Sequence, residues 1–142
     1  MAYTTQVQLE DRFSTQLLIS LTDRGEISTG VIDTDVVDKA LASTDAVIDG
    51  YLKARYQLPL SAEQPLIREL AEVIAIYKLH TYQPDEKIGQ DYKDALASLK
   101  KIADGTIQLS AAGVAPADTG AGGARVTDRE RPFTESKMKG FI

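Results

Sequence analysis

Apolar residues along the first hundred or so positions recur at three- and four-residue steps, and the body reads as helical throughout. Thr4 and Thr5 are placed to cap a short first helix through Arg12, with Val7 and Leu9 as its apolar contacts. Ser14 is placed to cap a second, carrying Leu17, Leu18 and Leu21. Both are too short to be stable alone and must pack on something longer. The stretch from Thr22 to Gly30 reads as a loop. Asp33 or Thr34 then opens the clearest element, which runs to about Tyr56. Its positions Val37, Ala40, Leu41, Thr44, Val47, Ile48, Tyr51, Leu52 and Tyr56 form one stripe, along a helix about 33 Å long. Asp49 and Lys53 make an i, i+4 pair on its wet face, and Pro59 ends the segment by steering Leu58 away from the α region.

Pro65 suits the first position of the next helix. Leu66, Ile67, Leu70, Val73, Ile74 and Tyr77 point inward there, and Ala71, Ala75 and Ile76 widen the apolar surface beyond one face. That breadth predicts the central, most buried helix, broken by Pro84. Asp85 caps a last helix whose stripe is Ile88, Tyr92, Ala95, Leu96, Leu99, Ile102 and Ala103. Gly105 stands just past its end, where a left-handed stop is expected. The fold class is therefore all-α, a small helical bundle of about five helices within residues 1–109, followed by a flexible C-terminal tail.

In residues 110–124, eleven of fifteen positions are Ala, Gly or Pro. Nothing there can bury a face, so the stretch reads as a flexible linker, about 50 Å if extended and roughly 20 Å as a coil. The charge changes sign across it. Residues 1–124 hold 11 Lys and Arg against 18 Asp and Glu, whereas residues 125–142 hold 5 against 3. The last segment also regains Phe133, Met138, Phe141 and Ile142, interleaved with Arg131, Lys137 and Lys139. Apolar anchors on a tethered cationic strand suit docking into an acidic, partly apolar groove, which an acidic neighbouring copy would offer. Residues 125–142 thus read as a docking segment, with Phe133, Lys137, Met138, Lys139 and Phe141 as its contact residues; the bland alternative is a disordered end with accidental aromatics.

The whole chain has 142 residues and a net charge of −5, which argues against a nucleic-acid coat or a polybasic membrane binder. With no Cys there is no disulfide scaffold, no thiol nucleophile and no thiolate metal site. The single His80 removes most imidazole metal chemistry and argues against a Ser-His-Asp triad; beside Tyr77 and Tyr82 it reads as packing or helix-end charge compensation. No apolar run approaches the roughly 20 residues of a membrane span, and the opening residues lack signal-peptide character. What remains is a cytoplasmic, noncatalytic domain without a cofactor.

Three further features invite a chemical reading. The Asp23–Asp35 stretch has the look of a calcium loop, but the third, fifth and twelfth positions counted from Asp23 are Gly25, Ile27 and Thr34, so the ligand pattern fails. It reads instead as a turn followed by a helix cap. Asp38, Asp45 and Asp49 line one flank of the long helix, and a solvated face is favoured over a paired-carboxylate site. Arg55 falls within the apolar stripe, where an unpaired charge is costly. It calls for a partly buried ion pair with an acid such as Asp45, Glu69 or Glu72, or else for an intersubunit contact.

The string Asp49-Gly50-Tyr51-Leu52-Lys53-Ala54-Arg55-Tyr56-Gln57-Leu58-Pro59-Leu60 closely resembles the phage Mu gp36-like family of tailed phages and prophages. The resemblance extends from Ala2-Tyr3 and the Leu21-Thr22-Asp23-Arg24 turn through Arg68-Glu69-Leu70-Ala71 to Met138-Lys139-Gly140-Phe141. Members often carry an acid where Glu72 sits, which implies an Arg55–Glu72 structural ion pair. The family is similar to head–tail connector, adaptor or head-completion proteins. That resemblance implies a noncatalytic subunit of the virion head–tail junction, present in the host cytoplasm during assembly. Its partners would be itself, in a ring that is commonly twelvefold in similar proteins, the portal protein, and a tail, stopper or terminator protein. DNA would pass through without sequence-specific binding, and no membrane is involved. The alternative is a helical regulatory or partner-binding module of a prophage that forms no ring.

Overall fold

Short polar side chains set where the helices begin, as the sequence pattern predicts. The computed structural model describes residues 2–60 and 62–109, which form five α-helices and, among the described residues, no strand. Helix α1 (Gln6–Phe13) starts in a capping box: the Thr5 hydroxyl accepts from Gln8 N, and the Gln8 side chain accepts from Thr5 N. Ser14 closes α1 and caps α2 (Thr15–Thr22) in a single residue, at φ 86, so the chain reverses between them without a loop. Asp33 opens α3 (Thr34–Leu52) by accepting from Asp35 N and Val36 N. Pro65 opens α4 (Pro65–Leu79), and Gly105 stops α5 (Glu86–Asp104) in the left-handed region. Asp85 does occupy the N-cap of α5, but its side chain makes no capping bond.

Several boundaries or faces differ from the sequence expectation, and one is Leu66, read as inward-facing on the central helix but exposed at its first turn. Helix α3 ends at Leu52, four residues short of Tyr56, and passes into a turn in which Arg55 N and Tyr56 N both donate to Leu52 O at 3.0 and 2.8 Å. The turn drops the Tyr56 ring into the core, where its hydroxyl accepts from Leu109 N at 3.1 Å. Helix α4 ends at Leu79, since His80 adopts extended backbone well before Pro84. Val7 is exposed; Leu9, two positions on and on the opposite side of the helix, is the residue α1 buries.

The helix α4 is buried almost all round and joins two apolar clusters, as its broad apolar surface predicts. Ile67, Leu70, Ala71 and Ile74 pack with Ile48 and Leu52 of α3 and Leu99 and Ile102 of α5. Ala75, Ile76 and Leu79 meet Leu9, Leu18, Val37 and Ala40, which brings α1 and α2 onto the other half of the bundle. Thr22 and Thr44 are fully buried and satisfied. Thr44 donates to Ala40 O, while Thr22 donates to Leu18 O and accepts from Asp33 N, clamping the base of the α2–α3 loop. Among the described residues, no helix is long and apolar enough to cross a membrane. The linker at 110–124 and the docking segment at 125–142, with Phe133, Lys137, Met138, Lys139 and Phe141, lie outside the described residues.

Candidate functional site

The extended N-terminal residues are tied to the flank of α3 by its acids. Tyr3 N donates to Asp45 Oδ1 at 3.1 Å, and the Tyr3 hydroxyl donates to Asp49 Oδ1. Tyr3 itself is buried in the main cluster. Burial raises the Asp45 carboxyl above the usual carboxylate range, with Asp49 adding to it and the Tyr3 N–H opposing it. The Tyr3 phenol is pushed up by burial first and then by its bond to Asp49. Of the three acids read as a solvated face, only Asp38 is exposed; Asp45 and Asp49 are half-buried anchors. The sequence pattern missed this because the partner, Tyr3, lies more than forty positions away.

This N-terminal strap forms one wall of a cleft of about 310 Å³, whose other wall is the α3–α4 connection and the first turn of α4. Gln64 lies between them. It occupies the N-cap position of α4, yet its side chain makes no capping bond and turns inward, leaving the residue 8% exposed. Among the described residues, Gln64 Nε2 has no hydrogen-bond partner. Other polar groups of the cleft bond to one another: Thr4 Oγ1 and Thr5 N both donate to Gln8 Oε1 at 3.1 Å, and Arg68 donates to Glu63 Oε1 at 2.8 Å. Leu60 and Tyr3 supply its apolar lining. Sequence reading did not find this site, because a Gln preceding a Pro carries no signal beyond that of a weak cap.

The charged residues singled out from the sequence have other partners. Glu72 accepts from Arg12 at 2.9 Å, across α4 and α1, so the expected Arg55–Glu72 pair is not formed. The early end of α3 carries Arg55 out of the helix stripe, and its guanidinium lies against Gly105 at the C-terminal end of α5. There it faces the negative pole of that helix. His80 Nδ1–H donates to Ile76 O at 2.7 Å and finishes α4. Tyr77 does not pair with it but stacks on Tyr92, centroids 3.8 Å apart, and Tyr82 is exposed. Asp23 is the hub of its loop, accepting from Ser28 Oγ, Thr29 N and Gly30 N, and these bonds hold its carboxyl below the ordinary range.

Comparison with known proteins adds what the geometry alone does not. Residues 3–128 match a family described as Bacteriophage Mu, Gp36. The chain is 32% identical over 142 residues to "Gene product J" of Escherichia phage Mu, covering 100% of both. It is 30% identical over 111 residues to the "Mu-like prophage FluMu protein gp36" of Haemophilus influenzae, covering 78% of this chain and 79% of that protein. The match begins at Tyr3, where the anchored strap begins, and takes in all five helices and the cleft. On that span and those identities, the chain belongs to the bacteriophage Mu Gp36 family.

Proposed function

We propose that the chain is a structural assembly subunit of a tailed-phage virion: a head–tail connector, or head-completion, protein that forms a ring below the portal. The observation that carries this reading is end-to-end similarity to a protein of phage Mu, over a helical bundle with a basic terminal segment. In the proposal the subunit does no catalysis. It joins copies of itself, the portal on one side and a tail, stopper or terminator protein on the other.

The charge distribution supports the same reading. A ring is built from head-to-tail contacts, so one patch on a subunit must complement a different patch on the next. Residues 1–124 carry a net charge of −7 and residues 125–142 a net charge of +2, which offers such a pair. Phe133, Lys137, Met138, Lys139 and Phe141 would make the contact. An acidic body also repels phosphates, so DNA would traverse the ring without being held.

Electron microscopy of the protein mixed with the portal tests the proposal. The expected result is ring density on the distal face of the portal. A chain that stays monomeric by light scattering with portal present, and adds no density to it, overturns the connector role.

A further inference from the structure

Cations gather in one cleft of a body that is acidic as a whole. Arg24 of the α2–α3 loop, Lys39 of α3 and Lys78 of α4 line a cleft of about 410 Å³, and no acid lines it. The Arg24 guanidinium is held in place by donating to Leu21 O and Leu79 O, in the last turns of α2 and α4. Among the described residues, none of the three cations stands in an ion pair. Ala40 and Leu79 are buried beneath them and Val36 is half-buried, so the floor is apolar. Other clefts mix the signs: Arg68 lies with Glu63, Arg24 with Asp23, and Arg12 and Lys87 with Asp85 and Asp91.

A surface of matching chemistry stands on the same chain. The connection between α4 and α5 carries Tyr82, 88% exposed, and runs into two adjacent exposed acids, Asp85 and Glu86. Asp85 holds the N-cap of α5 without a capping bond, and among the described residues neither carboxylate stands in an ion pair. None of residues 81–86 lines the cationic cleft of their own copy. An aromatic ring beside two carboxylates complements an apolar floor rimmed by cations, which attract the face of the ring as well as the acids. Nucleic acid fits the cleft less well. Asp35 and Asp38 stand within one turn of Lys39 on α3, and all three are exposed. A duplex laid across the cleft would press its phosphates against those carboxylates.

We propose that the cleft of Arg24, Lys39 and Lys78 receives the α4–α5 connection of a second copy, with Asp85 and Glu86 meeting the lysines and Tyr82 meeting the apolar floor. The inference rests on the self-assembly proposed above and adds to it a contact between the helical bodies. Cleft and connection are different patches of one subunit, so the contact is heterologous and repeats from copy to copy. Its charges sit at a solvated rim, so it weakens as salt rises.

The test is the mass of the full-length protein against its concentration, by sedimentation velocity at low salt. Wild type is expected to associate. Lys39→Glu with Lys78→Glu, or Asp85→Lys with Glu86→Lys, weakens association about tenfold or more. All four reversals in one chain restore it, which a folding defect would not do. Melting by circular dichroism checks that each variant folds; where a reversal unfolds the chain, Lys39→Gln and Glu86→Gln take its place. Tyr82→Ala weakens association and leaves its salt dependence unchanged. A wild type that stays monomeric at every concentration overturns the assignment, as do reversals that leave association unchanged or a fourfold variant that fails to restore it. Duplex DNA held by wild type and released by Lys39→Glu, with the mass unchanged, also overturns it, because the cleft then takes phosphates. Failure of the contact is separable from failure of the assembly role. If both doubly reversed chains form rings on the portal as wild type does, the role stands without this contact. Association that depends on these residues, with no ring on the portal, keeps the contact and overturns the role.

Discussion

Replacing Gly105 by Ala tests the packing of the two ends of the bundle at a single atom. Gly105 adopts φ 84, ψ 5, a left-handed conformation that costs an L-residue about 1–2 kcal/mol. The new Cβ also falls within the space held by the Arg55 guanidinium. That group ends a flexible side chain and can swing away, but it then gives up its place at the C-terminal pole of α5, worth about 0.3–1 kcal/mol. The expected loss is about 1.3–3 kcal/mol. For a body of this size each kcal/mol moves the melting midpoint by about 4–8 °C, so a drop of at least 5 °C or so is expected by circular dichroism. A double-mutant cycle with Arg55→Ala separates the two parts. In the Arg55→Ala background the cost of Gly105→Ala should shrink to the backbone strain alone. A cost under about 0.5 kcal/mol in wild type refutes the left-handed stop, and an equal cost in both backgrounds refutes the placement of Arg55.

Ile74→Ala, at a fully buried position of α4, should cost about 2–5 kcal/mol in urea unfolding; a loss below about 1 kcal/mol would displace α4 from the centre of the fold. Truncating Glu72 and Arg12 to Ala, singly and together, should give a coupling of at least about 0.2–1 kcal/mol, the range for exposed pairs, since this bridge is largely shielded from solvent, and the same cycle with Arg55 should give none. Tyr3→Phe should remove an alkaline instability of the wild type. The folded phenol titrates above its ordinary value of 10.0, so above that pH the unfolded chain binds fewer protons than the folded one and stability falls as pH rises. If wild type and Tyr3→Phe show the same decline in melting temperature beyond pH 10, the buried Tyr3–Asp49 bond is not formed.

Helix positions were readable from the sequence because they depend on neighbours three or four residues away. Thr5, Ser14, Asp33, Pro65 and Gly105 each act at the spot where local chemistry places them. The breadth of apolar surface on α4 likewise announced its central place. Errors arose where a distant contact outweighed the local pattern. The stripe of α3 continues in sequence to Tyr56, but the bond between Leu109 N and the Tyr56 hydroxyl, 53 residues apart, accompanies an earlier turn. Glu72 pairs with an arginine 60 residues away rather than with the one that the family likeness implies. Periodicity identifies which face is buried, but not which of two cations an acid will meet.

The acid flank of α3 shows why the candidate site escaped the same reading. Four consecutive features look solvent-facing on a helical wheel: Asp38, Asp45, Asp49 and Lys53. The N-terminal strap crosses only the second and third, and it covers them by giving each a hydrogen bond. Their partial desolvation therefore reports a segment laid over the bundle rather than a helix face buried within it. The strap that does this also walls the cleft in which Gln64 Nε2 is left without an acceptor. One short segment thus satisfies two acids and helps enclose one unsatisfied donor. Gln64→Leu should therefore hold or raise the melting temperature, because it removes a buried donor that has no acceptor; a clear drop would mean that the amide is bonded in the folded chain.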